Sequence, residues 1–495
     1  MNLEQVIKAN TICFKLKVSI LKYFKFEAFY TVVYRIINSP YILDTDHREV
    51  DMEKRNHQSR EHLQKSVFSH SATAPVDDEQ FGISKHIRIT PDYEAFNQPN
   101  DMFSRGFWDS KFANRMTMKF FRSFVKPTER TRDEEGFSQE DFALRNGPWV
   151  VTEMFAEMQK ANDRRDGFTD DFTPHIPPRV EPVEIKSPQE AAGRIKKVGK
   201  LYGADLVGIT AYDPRWTYKS KFSARTRSSK PVDIPDEICN VIVLGKAMEF
   251  DIIRMSPSAT ASTGPAAGYA EDAITLLALA QYIRSLGYQA IATQNDTNLA
   301  VPYAIQAGLG EYGRNGLCIT RNYGPRVRFG RILTDMPLAH DKPIAFGVEE
   351  TCEICRRCAN NCPPQAIDHG PPSTYTFNRS NIRGIKKWTT DGEKCFKFWV
   401  SRGTDCANCI RTCPYNKDYS KRWSKILRFL LGTPLRKLAL KLDDRLRLHD
   451  QIKPSSWWAS TDGSFQTLER AKDHPFDAEL KANQDRVKAV RDARR

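Results

Sequence analysis

Eleven cysteines occur in 495 residues, and eight of them crowd into about sixty positions. The first block reads Cys352-x2-Cys355-x2-Cys358-x3-Cys362-Pro363. The second reads Cys406-x2-Cys409-x3-Cys413-Pro414, with Cys395 upstream of it. Cysteines two or three residues apart can wrap three corners of a cubane from one tight turn, and eight thiolates in this order suit two [4Fe–4S] clusters. Such a pair moves electrons one at a time. Structural zinc also uses Cys-x2-Cys, but in two pairs separated by a longer gap. A third cysteine at the same short interval, with the Cys-Pro endings, favours iron–sulfur, and short-interval clustering disfavours disulfides. Cys13, Cys239 and Cys318 sit in apolar stretches and read as buried small hydrophobes.

The spacing resembles that of bacterial two-cluster ferredoxins, in which the fourth cysteine of each run ligates the other cluster. That resemblance implies Cys352, Cys355, Cys358 and Cys413 for one cluster, and Cys362, Cys395, Cys406 and Cys409 for the other. Each fourth cysteine is expected to open a helix, with Pro363 and Pro414 suited to its first turn. The second block lacks the expected first cysteine. Cys395 is expected to replace it, with a loop spanning the distance to Cys406.

The chain is too long for one ordinary core. Residues 1–80 read as an N-terminal arm and polar linker. The first 43 mix bulky apolar residues with Lys15, Lys17, Lys22, Lys25 and Arg35, which suits either an amphipathic surface anchor or an arm packed on the body. No small-residue cleavage site or uninterrupted apolar core marks a secretory signal, and Met52 offers an alternative start. Arg164-Arg165 lies too far along the chain to act as a twin-arginine signal. A cytoplasmic location is expected, with peripheral membrane contact left open. The formal net charge of +14 suits nucleic acid, an anionic membrane or an acidic electron donor. Without a basic recognition helix or an aromatic single-strand platform, nucleic acid is not expected.

Residues 81–186 mix aromatics with turn formers and read as an irregular wrapping region with few long helices, ending in the stiff connector Thr173–Pro178. Across 187–344, apolar spacing predicts helices at 189–202 and 269–286 and strands at 206–210, 241–244, 290–293 and 326–334. The unbroken Val241–Leu244 run predicts a strand buried on both faces. Helices and strands in alternation give a fold class of α+β or α/β. A ferredoxin-like module follows at 345–420. Residues 421–495 form a basic, amphipathic helical extension and a tail charged from 476, suited to covering the module, meeting a partner or lying on a membrane.

Gly308-Leu309-Gly310-Glu311-Tyr312-Gly313 matches the dinucleotide fingerprint G-x-G-x-x-G, which needs a strand before it and a helix after it. Here Tyr303–Ala307 reads as helix and Gly316–Thr320 as strand, so the context is inverted. The segment Gly308, Gly310, Gly313, Arg314 and Asn315 remains a candidate for close approach to some other large cofactor.

Gly268-Tyr269, then Gly308–Gly316, then both cysteine blocks with Asn408-Cys409 and Cys413–Lys417, together resemble the corrinoid-dependent reductive dehalogenases. The resemblance is good over about 187–420, weaker over 80–186 and absent before 50. It implies a nitroreductase-like core that holds cobalamin with its lower axial position free of protein ligands, and no D-x-H-x-x-G motif is present to supply one. It further implies a halogenated organic small molecule as substrate and Tyr269 as proton donor, supported by Asn295 and Arg328. The residue types suit the task, since an unperturbed tyrosine holds its proton up to pH ~10 and a nearby guanidinium stabilises the phenolate.

Exported members of that family usually carry a twin-arginine leader, and none is visible. The chain ends about eighty residues past the second block, leaving no room for a fused reductase domain. A separate ferredoxin, flavodoxin or membrane quinol system is therefore expected to supply electrons. Epoxyqueuosine reductase, a tRNA-modifying enzyme, shares the cobalamin-plus-two-cluster core and is the competing reading. Tyrosine stands here where that enzyme is expected to use a carboxylate. A non-catalytic electron-transfer subunit is the third reading.

Overall fold

The computed structural model describes residues 88–158 and 180–459, apart from 225 and 448. The N-terminal arm and linker, Cys13, the Thr173–Pro178 connector and the charged tail lie outside the described residues.

Ahead of the core the chain is more helical than the expected irregular wrap. Helix α1 (Met102–Trp108) is capped by Asp101, whose carboxylate accepts from the Ser104 amide at 2.9 Å. Helix α2 (Arg115–Arg122) is capped by Asn114, which accepts from the amides of Met116 and Thr117. Helix α3 (Gln139–Met158) runs twenty residues through Pro148, the residue that hides it from a propensity reading. Phe112, Phe120 and Phe121 bury against Phe396 of the cysteine module, and Arg105 reaches Glu393 there at 2.6 Å. The wrap is thus pinned to the module by an aromatic cluster and a mostly buried ion pair.

The core begins with α4 (Pro188–Leu201), started by the Ser187 hydroxyl and Pro188. There follow β1 (Leu206–Ala211), β2 (Asn240–Ala247), α5 (Ala259–Ser285), β3 (Ala290–Thr293), α6 (Ala300–Gln306), β4 (Gly310–Tyr312), β5 (Cys318–Thr320) and β6 (Val327–Thr334). Helix α5 starts ten residues earlier than its periodicity predicts, because Gly264, Pro265 and Gly268 blur its first turns. The main sheet has the order β1–β2–β6–β3, and every neighbouring pair is antiparallel. This resolves the fold class to α+β. The alternation that suggested α/β is real, since β2–α5–β3 is a crossover between two strands running the same way. Strand β6 then inserts between them in the opposite direction, which alternation cannot reveal.

Side chains alternate across the sheet. Ile209, Ile242, Leu244 and Ile332 pack with Ile195 of α4 and Leu276, Leu279 and Ile283 of α5. Val241, Val243, Ile291 and Leu333 pack on the other face with Tyr303 and Ile305 of α6. Both faces are covered, which is why β2 reads as an unbroken apolar run.

The glycine segment has a helix before it and a strand pair around it, the inverted context its flanks predict. Its glycines serve the chain's own packing. A Cβ on Gly308 would lie 2.5 Å from the Lys342 carbonyl oxygen, and one on Gly310 would collide with the Ile319 carbonyl. A Cβ on Gly313 would come within 2.8 Å of Asn315 Oδ1 and the Ile319 side chain. These contacts account for Gly308, Gly310 and Gly313 by the chain's own packing.

In the cysteine module, α7 (Val348–Cys355), α8 (Arg357–Asn360), α9 (Gly392–Arg402) and α10 (Asn408–Arg411) carry or flank the thiols. The fourth cysteines do not open helices. Cys362 and Cys413 instead follow α8 and α10, single turns that begin around Cys358 and Cys409. Cys395 stands in the first turn of α9, so part of the span to Cys406 is helical. Helices α11 (Arg422–Leu431) and α12 (Arg436–Arg445) fold over the module as a hairpin, with Leu427, Leu431 and Ala439 against Val348, Ile319 and Tyr415. Buried Asp443 binds Arg357 of α8 and lies 3.2 Å from Lys417 Nζ. Cys318 is buried in the core, whereas Cys239 is only half-buried beside Asn240. Among the described residues no helix is long and apolar enough to cross a membrane.

Gly310→Ala is expected to cost about 1–3 kcal/mol of stability, measured by chemical denaturation with no corrinoid added. An unchanged midpoint would mean that the segment has room to spare and is open to a ligand.

Candidate active site

Cys352, Cys355, Cys358 and Cys413 line one small cavity together with Arg314, Asn315 and Tyr415. Cys362, Cys395 and Cys409 pack in a second group that Cys358 also touches, and the Cys406 thiol adjoins it closely enough to repel Cys362 and Cys395. Cys413 therefore sits with the first block and Cys362 with the second, the crossed grouping that the ferredoxin resemblance implies. Burial pushes all eight thiols up, Cys406 and Cys413 to about 12, and neighbouring thiols add to it at every position but Cys355, where Asp443 and Asp444 add instead, and Cys362. Four crowded, buried thiols give up their protons together only to a strong cation, which is the chemistry of a metal cluster. Backbone amides already point at two sulfurs: Arg314 N–H donates to Cys352 Sγ at 3.5 Å and Ala366 N–H to Cys362 Sγ at 3.3 Å. Such bonds help set a cluster's potential.

Arg314 is the fastener of the first group. Its guanidinium donates to the carbonyls of Cys352 (3.0 Å), Asp368 (2.8 Å) and Gly370 (2.8 Å) and lies 5.0 Å from the Trp388 ring centroid. The guanidinium is thus engaged with the cysteine loop and lines the small cysteine cavity rather than the large one. Of the five candidates in the glycine segment, only Asn315 lines a large cavity, and it lines the small cysteine cavity as well.

Tyr269, Asn295 and Arg328 come from three elements and meet at one oxygen. The register Thr293↔Arg331 ends β3 opposite the middle of β6, so the chain that carries Asn295 leaves β3 on the side of the first half of β6, where Arg328 stands. Gly268 lets α5 lie close over that place, since a Cβ there would stand 3.0 Å from Arg328 Cγ. Asn295 Nδ2 donates to the Tyr269 hydroxyl oxygen, and an Arg328 N–H donates to the same oxygen at 3.3 Å. The Arg328 guanidinium also sits 4.6 Å from the Tyr269 ring centroid. Gln294 holds the Tyr269 backbone carbonyl at 2.9 Å, and Trp149 packs on the ring at 5.2 Å. Two donors on a phenolic oxygen, one cationic, stabilise the phenolate left when the proton departs.

This cluster of three faces a cavity of about 400 Å³. Its walls are Phe103, Phe121, Phe124, Trp149, Tyr218 and Trp399, with Asp101, Glu153 and Asp405 among them. A second cavity, of about 610 Å³, lies between α6 and the cysteine module and is lined by Trp216, Leu299, Val301, Ile305, Tyr312, Asn315, Lys387 and Thr390 among others. None of its described lining residues is His, Cys or Met. Tyr218 and Asn295 belong to both cavities, so the two adjoin at the tyrosine site. Cysteines, Asn315, large cavity, Asn295 and Tyr269 thus stand in line. The sequence reading missed Trp149, Tyr218, Trp399 and Asp405. Only the aromatic richness of 81–186 hinted at the wall.

Burial also sets the charges around the site. It pushes the Asp405 carboxyl up, against the pull of Ser262, Arg145 and Arg328. Asp272, beneath the site, is pushed up to about 7 by burial, while Arg331, Gln294 and Arg328 oppose it. The Lys387 ammonium is pushed down to about 8 by burial.

Residues 351–417 match the family model described as a 4Fe-4S dicluster domain. The chain is 35% identical over 311 residues to a tetrachloroethene reductive dehalogenase of Dehalobacter restrictus, covering 55% of this chain and 56% of the relative. It is 32% identical over 333 residues to the tetrachloroethene reductive dehalogenase of Sulfurospirillum multivorans, covering 62% and 66%. The chain thus spans about half to two thirds of the length of these curated relatives. The solved catabolic reductive dehalogenase NpRdhA shares the fold at a TM-score of 0.59 and 22% identity, over 74% of this chain and 48% of that one. An epoxyqueuosine reductase of Atelocyanobacterium thalassa matches over 124 residues at 32% identity, covering 24% of this chain and 38% of that protein. The resemblance to reductive dehalogenases is shown by these matches, and the chain carries a module for two [4Fe–4S] clusters.

Cys413→Ser and Cys355→Ser are expected to perturb the same electron paramagnetic resonance signal of the reduced protein, and Cys362→Ser and Cys406→Ser the other. Each variant should keep about four of eight irons. A Cys413 variant that instead tracks Cys406 would refute the crossed grouping.

Proposed function

We propose, from the chain's kinship with the reductive dehalogenases, that it removes halogen reductively from a neutral organohalide, using cobalamin and electrons relayed through its two clusters. The observation that carries this reading is the convergence of Tyr269, Asn295 and Arg328 at the seam between two cavities, in line with the cysteines. The α+β core with α5 laid over its sheet is read as nitroreductase-like.

The larger cavity suits the corrinoid. Apolar side chains such as Leu299, Val301 and Ile305 offer it a face, while Asn315, Ser380, Asn381 and Lys387 offer polar groups to its periphery. Bound there, the corrinoid supplies a strongly reducing metal centre for cleaving the carbon–halogen bond.

The chain's own residues do the rest. Replacing halogen by hydrogen takes two electrons and one proton and releases halide. The eight cysteines would hold the two clusters that supply these electrons one at a time. Tyr269 gives its hydroxyl proton to the carbon, and Asn295 and Arg328 hold the resulting phenolate. The aromatic walls of the smaller cavity exclude water and hold an apolar substrate against Tyr269. Asp101 and Glu153 face that cavity while Arg328 is engaged with Tyr269, so carboxylated haloaromatics meet like charge. A separate donor supplies the electrons, and the basic chain favours an acidic ferredoxin or flavodoxin over a neutral partner.

The loaded protein is expected to contain about eight irons and one cobalt per chain and, under a strong reductant without oxygen, to release halide from haloalkenes or neutral haloaromatics. No halide from any of them would sink the proposal. Tyr269→Phe should lower kcat by about 10²–10⁴-fold with iron and cobalt content unchanged. Activity that survives the change would remove the tyrosine from its role.

A further inference from the structure

Seven of the eighteen large apolar side chains exposed among the described residues fall between Trp423 and Leu446, in the α11–α12 hairpin. Trp423 and Phe429 are 75% and 70% exposed. Trp423, Ile426 and Phe429 recur every three residues along α11, and Leu435, Leu438 and Leu442 recur at three and four along α12. Each series makes one stripe of its helix. Neither stripe is the one that packs on the protein, because Ser424, Leu427, Leu431, Ala439 and Asp443 fill the inner side. An ordinary covering helix buries its apolar stripe and turns charge outward. These two helices bury one stripe and leave a second in water.

The charges are sorted as well. Arg422, Lys425, Lys437, Lys441 and Arg445 are exposed beside the apolar stripes. Of the two acids of the hairpin, Asp443 is buried against Arg357 and Lys417, and Asp444, though 59% exposed, is engaged with Arg357 at 2.8 Å. The outward surface is therefore cationic and apolar at once.

We propose that the α11–α12 hairpin docks on an anionic membrane surface, with Trp423, Ile426 and Phe429 at headgroup depth and the flanking lysines and arginines on lipid phosphates. Interleaved bases, leucines and an exposed tryptophan are the composition of an interfacial helix. Protein interfaces are instead depleted of charge at their centres. The contact is peripheral, since no described helix can cross the bilayer. The hairpin rests on α7 and α8, so docking turns the side of the first cysteine group toward the membrane. This inference is independent of the halogen chemistry.

The test is co-sedimentation of the full chain, with its clusters, on phosphatidylglycerol/phosphatidylcholine vesicles and on phosphatidylcholine alone. Binding to the anionic vesicles is expected to be at least about tenfold tighter and to weaken with salt. The double variant Trp423→Ser/Phe429→Ser should lose about tenfold or more, with iron content and halide release in solution unchanged. Lys425→Glu/Lys441→Glu should abolish the preference for anionic lipid. No binding to either vesicle overturns the proposal, as does capture of an acidic ferredoxin by the patch without vesicle binding. Binding that both variants retain also overturns it, and assigns lipid contact to another segment.

Discussion

Strand β6 has an antiparallel neighbour on each side, and the rest of the molecule is arranged around that insertion. Strand β6 runs opposite to β2 and β3, and β3 stops opposite the middle of β6. The turn that follows β3 therefore carries Asn295 toward Arg328 in the first half of β6. Helix α5, the crossover from β2 to β3, must then pass over the same place, and Gly268 lets it come close enough for Tyr269 to reach both partners. A site drawn from positions 269, 295 and 328 is held by backbone geometry. Its precision comes from the sheet, and the side chains need only choose rotamers.

Two buried arginines extend this order to the cysteines. Arg314 ties the loop of the first block to the core through three carbonyls, and Arg357 ties it to the C-terminal hairpin through Asp443. Each is buried and paired, and each pairing would be costly half-made, because a lone buried charge is far less stable than a paired one. The cysteine loop is clamped from both sides, which suits groups that must exchange electrons without changing shape.

The parts legible in the sequence were those fixed by chemistry close along the chain. Thiols at two- and three-residue intervals declare their use wherever they fold, and Val241–Leu244 declares a doubly covered strand. Other parts were written in relations that one chain position does not carry. Strand direction is absent from a pattern of helices and strands, so the insertion of β6 passed for α/β alternation. Pro148 and Pro265 concealed helices that tertiary packing sustains. A glycine that admits a cofactor and one that admits its own backbone look alike, and Gly308, Gly310 and Gly313 are of the second kind. Tyr269, Asn295 and Arg328 were legible only through resemblance. The aromatic wall was not legible, since Phe124, Trp149, Tyr218 and Trp399 come from remote segments.

The Arg357–Asp443 contact has a bearing on how the molecule is put together. Arg357 immediately precedes Cys358, whereas Asp443 stands in the C-terminal hairpin, 86 residues further along the chain. Lys417, four residues past Cys413, reaches the same carboxylate at 3.2 Å. Both cysteine blocks thus meet the hairpin at a single buried acid, which joins the C-terminal region to the module from two places at once.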